Sequence, residues 1–319
     1  MKSQLIYSDK YDFDSKVLNK IHLFDGQKFS KAWKLLSTEF GSEIESLWVV
    51  PESPVADDVL LKVHSSEYLA SLSKSSVIAG IIEVGLAKFI PSSVLKNVLL
   101  TPIKLACQGT VLAAEKALTH KSIAMNLGGG FHHAFSDHGE GFCFFADAAL
   151  SIINSREKGF LKNDDSILMI DLDAHRGNGF DSITQDDSTI KNFDMYGFQS
   201  YPGLHEGDPD EYPYMIPLKS GMNDETYLNI LETELVKFLD ENVDAKLVFY
   251  NAGNDILDCD PLGGLKVSYA GVVKRDAFVI QQLRNRNIPT VVMTSGGYTS
   301  ESHKLIAELA KIVVKSGRA

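Results

Sequence analysis

A chain of 319 residues with 44% hydrophobic residues and no repeat or low-complexity tract can form one large core or two modest ones. Its formal net charge of -11 argues against nucleic acid as the main partner, because phosphate binding rests on clustered Lys and Arg, and it suits a cationic ligand such as a lysine-bearing peptide better. Cys107, Cys143 and Cys259 have no metal-site spacing and fit reduced thiols rather than a disulfide frame.

The opening Met1-Lys-Ser-Gln-Leu-Ile-Tyr7 lacks the apolar core of a signal peptide, and no run approaches the roughly 18 apolar residues of a membrane span, so a cytoplasmic protein is expected. Strand-like apolar runs follow at Leu47–Val50, Ile123–Asn126, Ile167–Ile170, Leu247–Tyr250 and Thr290–Met293. Helical periodicity marks Pro102–Leu118, Asp224–Leu239 and Ser302–Val314. No linker rich in Pro, Gly or Ser interrupts this alternation. It predicts a single α/β domain over residues 1–319, a three-layer α/β/α sandwich around a central, mostly parallel sheet. In such sheets ligands sit at the carboxyl ends of the strands.

The residues with chemistry to offer stand directly after the apolar runs. The Ile123 run leads into Gly128-Gly-Gly-Phe-His-His133, the Ile167 run into Asp171-Leu-Asp-Ala-His175, the Leu247 run into Asn251-Ala-Gly-Asn-Asp255, and the Thr290 run into Ser295-Gly-Gly-Tyr298. In an extended strand Asp171, Asp173 and His175 would share one face. Buried together, such groups need a partner, and a divalent cation is the cheapest.

These four motifs, in this order, resemble the zinc-dependent histone deacetylase family, whose fold is related to that of arginase. The strings His22-Leu-Phe-Asp25, Gly139-Glu-Gly-Phe-Cys143, Asp255-Ile-Leu-Asp-Cys-Asp-Pro-Leu-Gly-Gly264 and Gly271-Val-Val-Lys-Arg-Asp276 look most like its class IV branch, and the resemblance spans Tyr7 to Thr299. It implies one catalytic Zn²⁺ on Asp173, His175 and Asp255, with a position left for water and the substrate carbonyl. His133 is implied as general base and then acid, and His132 as its more buried partner, oriented by Asp171. Tyr298 is implied as the donor that stabilises the oxyanion, and Asn178 as the residue that orients His133. By the same resemblance Gly141, Phe142 and Tyr201 wall an acyl-lysine tunnel with Leu262 at its mouth, and main-chain carbonyls around Asp171, Asp173 and His175 hold a potassium ion, as in many relatives.

Taken singly, each residue has a plainer reading: His132 as a hydrogen-bonded core residue, Asp255 as a helix cap, Tyr298 as a half-buried tyrosine, and Phe142, Tyr201 and Leu262 as core fillers. The companion motifs outweigh those readings. His64, His120 and His205 have no companion cluster and are read as structural or solvent-facing. Leu23 replaces the usual Pro of class IV, and Arg176 follows the metal His where Gln or His is common. The stretch Ile90–Gln108 contains no Asp or Glu, where relatives often place a rim aspartate that grips peptide backbone. The leading expectation is removal of acetyl or longer fatty acyl groups from lysine side chains of a peptide or protein. A small-molecule amidohydrolase acting on acetylpolyamines and a non-catalytic binding module are the alternatives. Arginase-like chemistry on two metals is disfavoured by Arg176 and Asn178, where further carboxylates would be needed.

Overall fold

The computed structural model describes residues 3–13, 25–203 and 214–317. His22, Leu23 and His205 lie outside the described residues. Eight strands form one sheet in the order β2-β1-β3-β8-β7-β4-β5-β6: β1 (Gln4–Ile6), β2 (Trp48–Val49), β3 (Ile123–Asn126), β4 (Ile167–Asp171), β5 (Ile190–Gly197), β6 (Met215–Leu218), β7 (Leu247–Asn251) and β8 (Thr290–Met293). Every pairing between them is parallel. The five predicted strands are all present, although β2 keeps only two of its four expected residues. Three more strands escape the apolar-run criterion. β1 is three residues long, β5 begins with the half-exposed or exposed Ile190, Lys191 and Asn192, and β6 carries Pro217. An edge strand such as β6 tolerates a proline that a central one would not.

The two faces of the sheet divide alternate residues. From β4, Leu168 and Ile170 join one core with helices α1 (Lys28–Phe40), α5 (Asp224–Glu241), α6 (Tyr269–Asn285) and α7 (Ser302–Ser316). Ile167 and Met169 join a second core with α2 (Thr101–His120), α3 (Asp147–Glu157) and Phe180 of α4 (Asn178–Thr184). Strands covered on both sides read as unbroken apolar runs, which is why β3, β4, β7 and β8 were visible in the sequence. Each fully buried Leu, Ile or Val in these layers contributes about 1.5–3 kcal/mol.

Ser92–His120, made of a short helix, a π-helical turn and α2, is by length and mean composition alone apolar enough to cross a membrane, although Lys96, Asn97, Lys104 and Gln108 interrupt it and no continuous apolar run is present, as expected. Its apolar side is taken up inside the protein. Ala113, Ala114 and Ala117 pack on the sheet, while Leu99, Ile103, Cys107 and Val111 belong to a third cluster with Ile81, Ile82, Phe144 and Phe145. The acid-free stretch Ile90–Gln108 is thus mostly helical, exposed at Pro91, Ser93, Val94, Lys96 and Asn97 and largely buried from Leu99 onward.

Candidate active site

The four strand ends singled out by sequence belong to neighbours in the sheet, β3-β8-β7-β4, so their following loops meet at one edge. β4 ends at Asp171, and the next residues bend. The expectation that Asp171, Asp173 and His175 share a strand face thus fails beyond Asp171. Asp171 turns to His132, accepting from its Nδ1 at 2.8 Å, whereas Asp173 and His175 converge with Asp255.

Asp173, His175 and Asp255 are buried and could hold a metal ion, each offering one ligand atom within 4.8 Å of the others. His175 Nδ1 is 3.0 Å from Asp173 Oδ1 and 3.0 Å from Asp255 Oδ2. Backbone donors fix the carboxylates: Gly296 N–H donates to Asp173 Oδ2 at 2.9 Å, and Ala174 N–H to Asp255 Oδ1 at 2.8 Å. Burial, with the Asp173 charge behind it, pushes Asp255 up to about 7. Burial opposes charge on His175, but its contacts with Asp173 and Asp255 hold its pKa well above the usual imidazole value. The donor set, two carboxylates and an imidazole drawn together by a shared proton, fits a zinc ion, which would take over the proton's place.

The His132 and His133 rings are tilted 48° to each other with centroids 4.1 Å apart, and their pKa values are pushed in opposite directions. Burial works against a charge on His132, yet the Asp171 carboxylate, then Asp173, outweighs it and brings the imidazole up to about 9. His133 is held well below its ordinary value by burial and by positive charge on His132 and His175. Its Nδ1 lies 2.7 Å from Asn178 Oδ1, and Asn178 Nδ2 donates to Glu140 Oε1 at 2.6 Å. The amide is thereby oriented: its oxygen accepts the Nδ1 proton, leaving Nε2 as the free lone pair.

A recess with about 890 Å³ of empty space, open solvent at its mouth included, is lined by His132, His133, Asp173, Gly141, Phe142 and Tyr298 at its polar end and by Phe13, Phe29, Ile82, Val84, Leu99, Ile103 and Phe144 elsewhere. A Cβ on Gly141 would stand 2.6 Å from His133 Cδ2, and both Gly141 and Phe142 have positive φ (49° and 65°). Such backbone for a bulky Phe is uncommon and strained, which places Phe142 where an unstrained chain would not. Tyr201, 40% exposed, sets its ring edge-to-face on His133 at 5.1 Å, outside the recess lining. Leu262, 38% exposed, is not among the lining residues either. It shares a turn with Asp260, which accepts from the Tyr298 N–H at 2.8 Å and the Leu262 N–H at 2.9 Å. Burial, then the Asp255 and Asp173 charges, keeps the Tyr298 hydroxyl protonated well above its usual range.

Several residues escaped sequence reasoning. Lys28 is fully buried, donates from Nζ to the Ser295 carbonyl at 2.7 Å, and is lowered to about 8 by burial against the pull of Asp255, Asp173 and Asp260. Asn251 Nδ2 reaches Asp171 Oδ1 at 3.0 Å and Ser295 Oγ at 3.2 Å. Asp147 accepts from the N–H groups of Gly130 and Phe131 at 2.9 Å each, pinning the glycine turn that carries the two histidines. Burial, then Glu140 and Glu83, raises the Tyr201 hydroxyl above its usual range. Arg176 pairs with Asp181 at 3.5 Å. Of the unclustered histidines, His64 is buried and structural, and His120 is exposed.

The histone deacetylase domain family matches residues 22–314 of this chain. The chain is 38% identical over 317 residues to Histone deacetylase 2 of Arabidopsis thaliana, covering 99% of itself and 80% of that protein. It is 31% identical over 200 residues to Histone deacetylase 8 of Xenopus tropicalis, covering 59% of itself and 51% of that relative. The crystal structure of the HDA15 HD domain shares the fold with a TM-score of 0.74 over 99% of this chain and 91% of that one, at 19% identity. A parallel sheet whose adjacent strand ends bring together two histidines, an Asp–His–Asp group and a tyrosine, in a sequence matched along nearly its full length, is accounted for by one descent: the chain belongs to the histone deacetylase family and is a deacetylase-type hydrolase.

Proposed function

We propose that the chain is a zinc-dependent lysine deacylase of the class IV branch, working as one catalytic domain over residues 1–319. The observation that carries this is the juxtaposition of the buried Asp173–His175–Asp255 group with neutral His133 at the polar end of an otherwise apolar recess. Asp173, His175 and Asp255 would hold the zinc, which when bound polarises an amide carbonyl and lowers the pKa of a water beside it. His133 Nε2 takes the proton of the attacking water and delivers it to the departing lysine amine. Positive His132, fixed by Asp171, supplies field without competing for that proton. The Tyr298 hydroxyl donates to the carbonyl oxygen as negative charge builds there, and the raised pKa keeps it a donor throughout.

The apolar walls of the recess support acyl groups longer than acetyl, Phe142 in that lining flanks the lysine methylenes, and Tyr201, set on His133 outside the lining, would close over them only at the surface. Asp194, paired across the β4–β5 ladder with Asp171, supports a structural potassium ion nearby. Burial and the Asp171 charge hold its pKa well above the usual carboxylate range, and its Oδ1 is buried without a hydrogen-bond partner. The test is a deacylation panel on zinc-loaded protein: one lysine peptide carrying acetyl, octanoyl or myristoyl, with N-acetylputrescine for comparison and Asp255→Ala as control. Peptide turnover that vanishes in the control is expected. Turnover of the polyamine alone would overturn the lysine reading, and turnover of none with zinc bound would overturn the enzyme reading.

A further inference from the structure

The string Gly271-Val-Val-Lys-Arg-Asp276 lies in α6, with Gly271, Val272, Arg275 and Asp276 buried. Its Arg275 is the largest fully buried side chain among the described residues. A guanidinium out of water is costly unless its charge is paired and its N–H groups are used. The charge is paired, and two of the three guanidinium nitrogens donate hydrogen bonds. Nε donates to Asp276 Oδ1 at 2.9 Å, Nη2 lies 2.8 Å from the same oxygen, and the Tyr250 hydroxyl donates to it at 2.5 Å. The Arg275–Asp276 pair is thus net neutral and adds little field against a divalent ion.

Where Nη1 points is informative. It donates to the Leu172 carbonyl at 3.1 Å and to the Gly253 carbonyl at 2.6 Å. Leu172 immediately precedes Asp173, and Gly253 stands two residues before Asp255. The β4–β7 ladder ends at the pair Asp171↔Asn251, with one further bond from the Leu172 N–H to the Asn251 carbonyl at 3.0 Å, so these two carbonyls lie just where strand pairing stops. The approach there is tight, because a Cβ on Gly253 would overlap the Asp173 carboxylate. From this bridging of two carbonyls we infer that Arg275, anchored by Asp276, is a positioning residue that fixes the separation of the Asp173 and Asp255 carboxylates and so sets the affinity of the site for zinc. The inference rests on the reading that these carboxylates hold the metal. A core filler would need only bulk, whereas a lysine offers a point charge that cannot reproduce the planar fork.

The test measures zinc affinity of the full chain by competition with a chromophoric chelator, alongside thermal melting of the metal-free protein. Arg275→Met is expected to weaken zinc about ten- to hundredfold, as loss of an outer support does, with KM little changed at saturating zinc and Arg275→Lys falling between it and the parent. Tyr250→Phe, which removes only the Asp276 contact, should weaken zinc in the same direction by a smaller factor and covers the case in which the Arg275 variants do not fold. Parental zinc affinity in folded Arg275→Met would overturn the inference, as would Tyr250→Phe that melts lower yet binds zinc unchanged. Asp255→Ala separates the two levels. If it binds zinc as the parent does, the metal-site reading itself is wrong, whereas if it loses zinc while Arg275→Met does not, only the positioning role falls.

Discussion

Asn178→Ala isolates how the general base is aimed. Glu140 commits Asn178 Nδ2 to itself at 2.6 Å, so the amide oxygen is left to accept the His133 Nδ1 proton at 2.7 Å. When His133 takes a proton from water it becomes a cation, and a hydrogen bond from a charged donor is worth about 1.5–3 kcal/mol. At about 1.36 kcal/mol per factor of ten, losing it lowers kcat roughly ten- to hundredfold. KM should hold, because the bond strengthens only as the charge forms. Asn178 also accepts from the Gly179 N–H at 3.0 Å in the first turn of α4, so a stability loss of about 1 kcal/mol accompanies the kinetic effect. Asn178→Asp should be worse than its small change suggests, since it sets a second carboxylate against Glu140, and Glu140→Gln in the same chain should recover part of the loss. Steady-state kinetics on the best peptide of the acyl panel, with zinc content and circular dichroism on each variant, read this out. Parental kcat in Asn178→Ala, or a loss confined to KM, would refute the orientation argument.

Gly141→Ala forces a Cβ to within 2.6 Å of His133 Cδ2 at φ 49°, so we expect about 1–2 kcal/mol of backbone strain and a kcat lower by about a hundredfold from the displaced ring. Melting and kinetics check it, and an unchanged kcat would mean that the ring has room to spare. Tyr298→Phe should keep zinc while kcat falls by about 10²–10³, and loss of zinc in that variant would contradict the division of roles. His64 lies away from this chemistry. Its Nδ1 donates to the Phe135 carbonyl at 2.9 Å while Nε2 accepts from the Ala146 N–H at 3.1 Å, and burial pushes its pKa from 6.5 down to about 4. Between those values the unfolded chain binds the extra proton. The contribution, about 3 kcal/mol, is therefore complete above pH 6.5 and lost as the pH falls toward 4. Denaturant titrations of the metal-free protein across that window should show the slope in the parent and a shallower one in His64→Gln; equal slopes would remove His64 as its source.

The chemistry at the ends of β3, β4, β7 and β8 was legible because strands buried on both faces are apolar almost to their ends, so the first polar residues, Asn126, Asp171 and Asn251 among them, mark the sheet edge. Asp171, Asp173 and His175 do not share a face because alternation holds only while the chain is extended and β4 stops at Asp171. β5 and β6 were hidden by polar residues and a proline that edge positions tolerate. The support groups were missed for a different reason, although a signal existed. Lys28 falls on the stripe with Ala32 and Leu36, and Arg275 with Asp276 falls on the stripe of Val272, Val279 and Ile280, so helical periodicity already puts these charges inside. Adjacent charges of opposite sign read as a solvated face when composition is consulted alone. On a buried stripe they cannot be solvated, and after pairing with each other the guanidinium still has donors to place. In a helix packed on a parallel sheet the acceptors without ladder partners are the carbonyls just past the strand ends, which is where Arg275 reaches and where the metal-capable carboxylates begin.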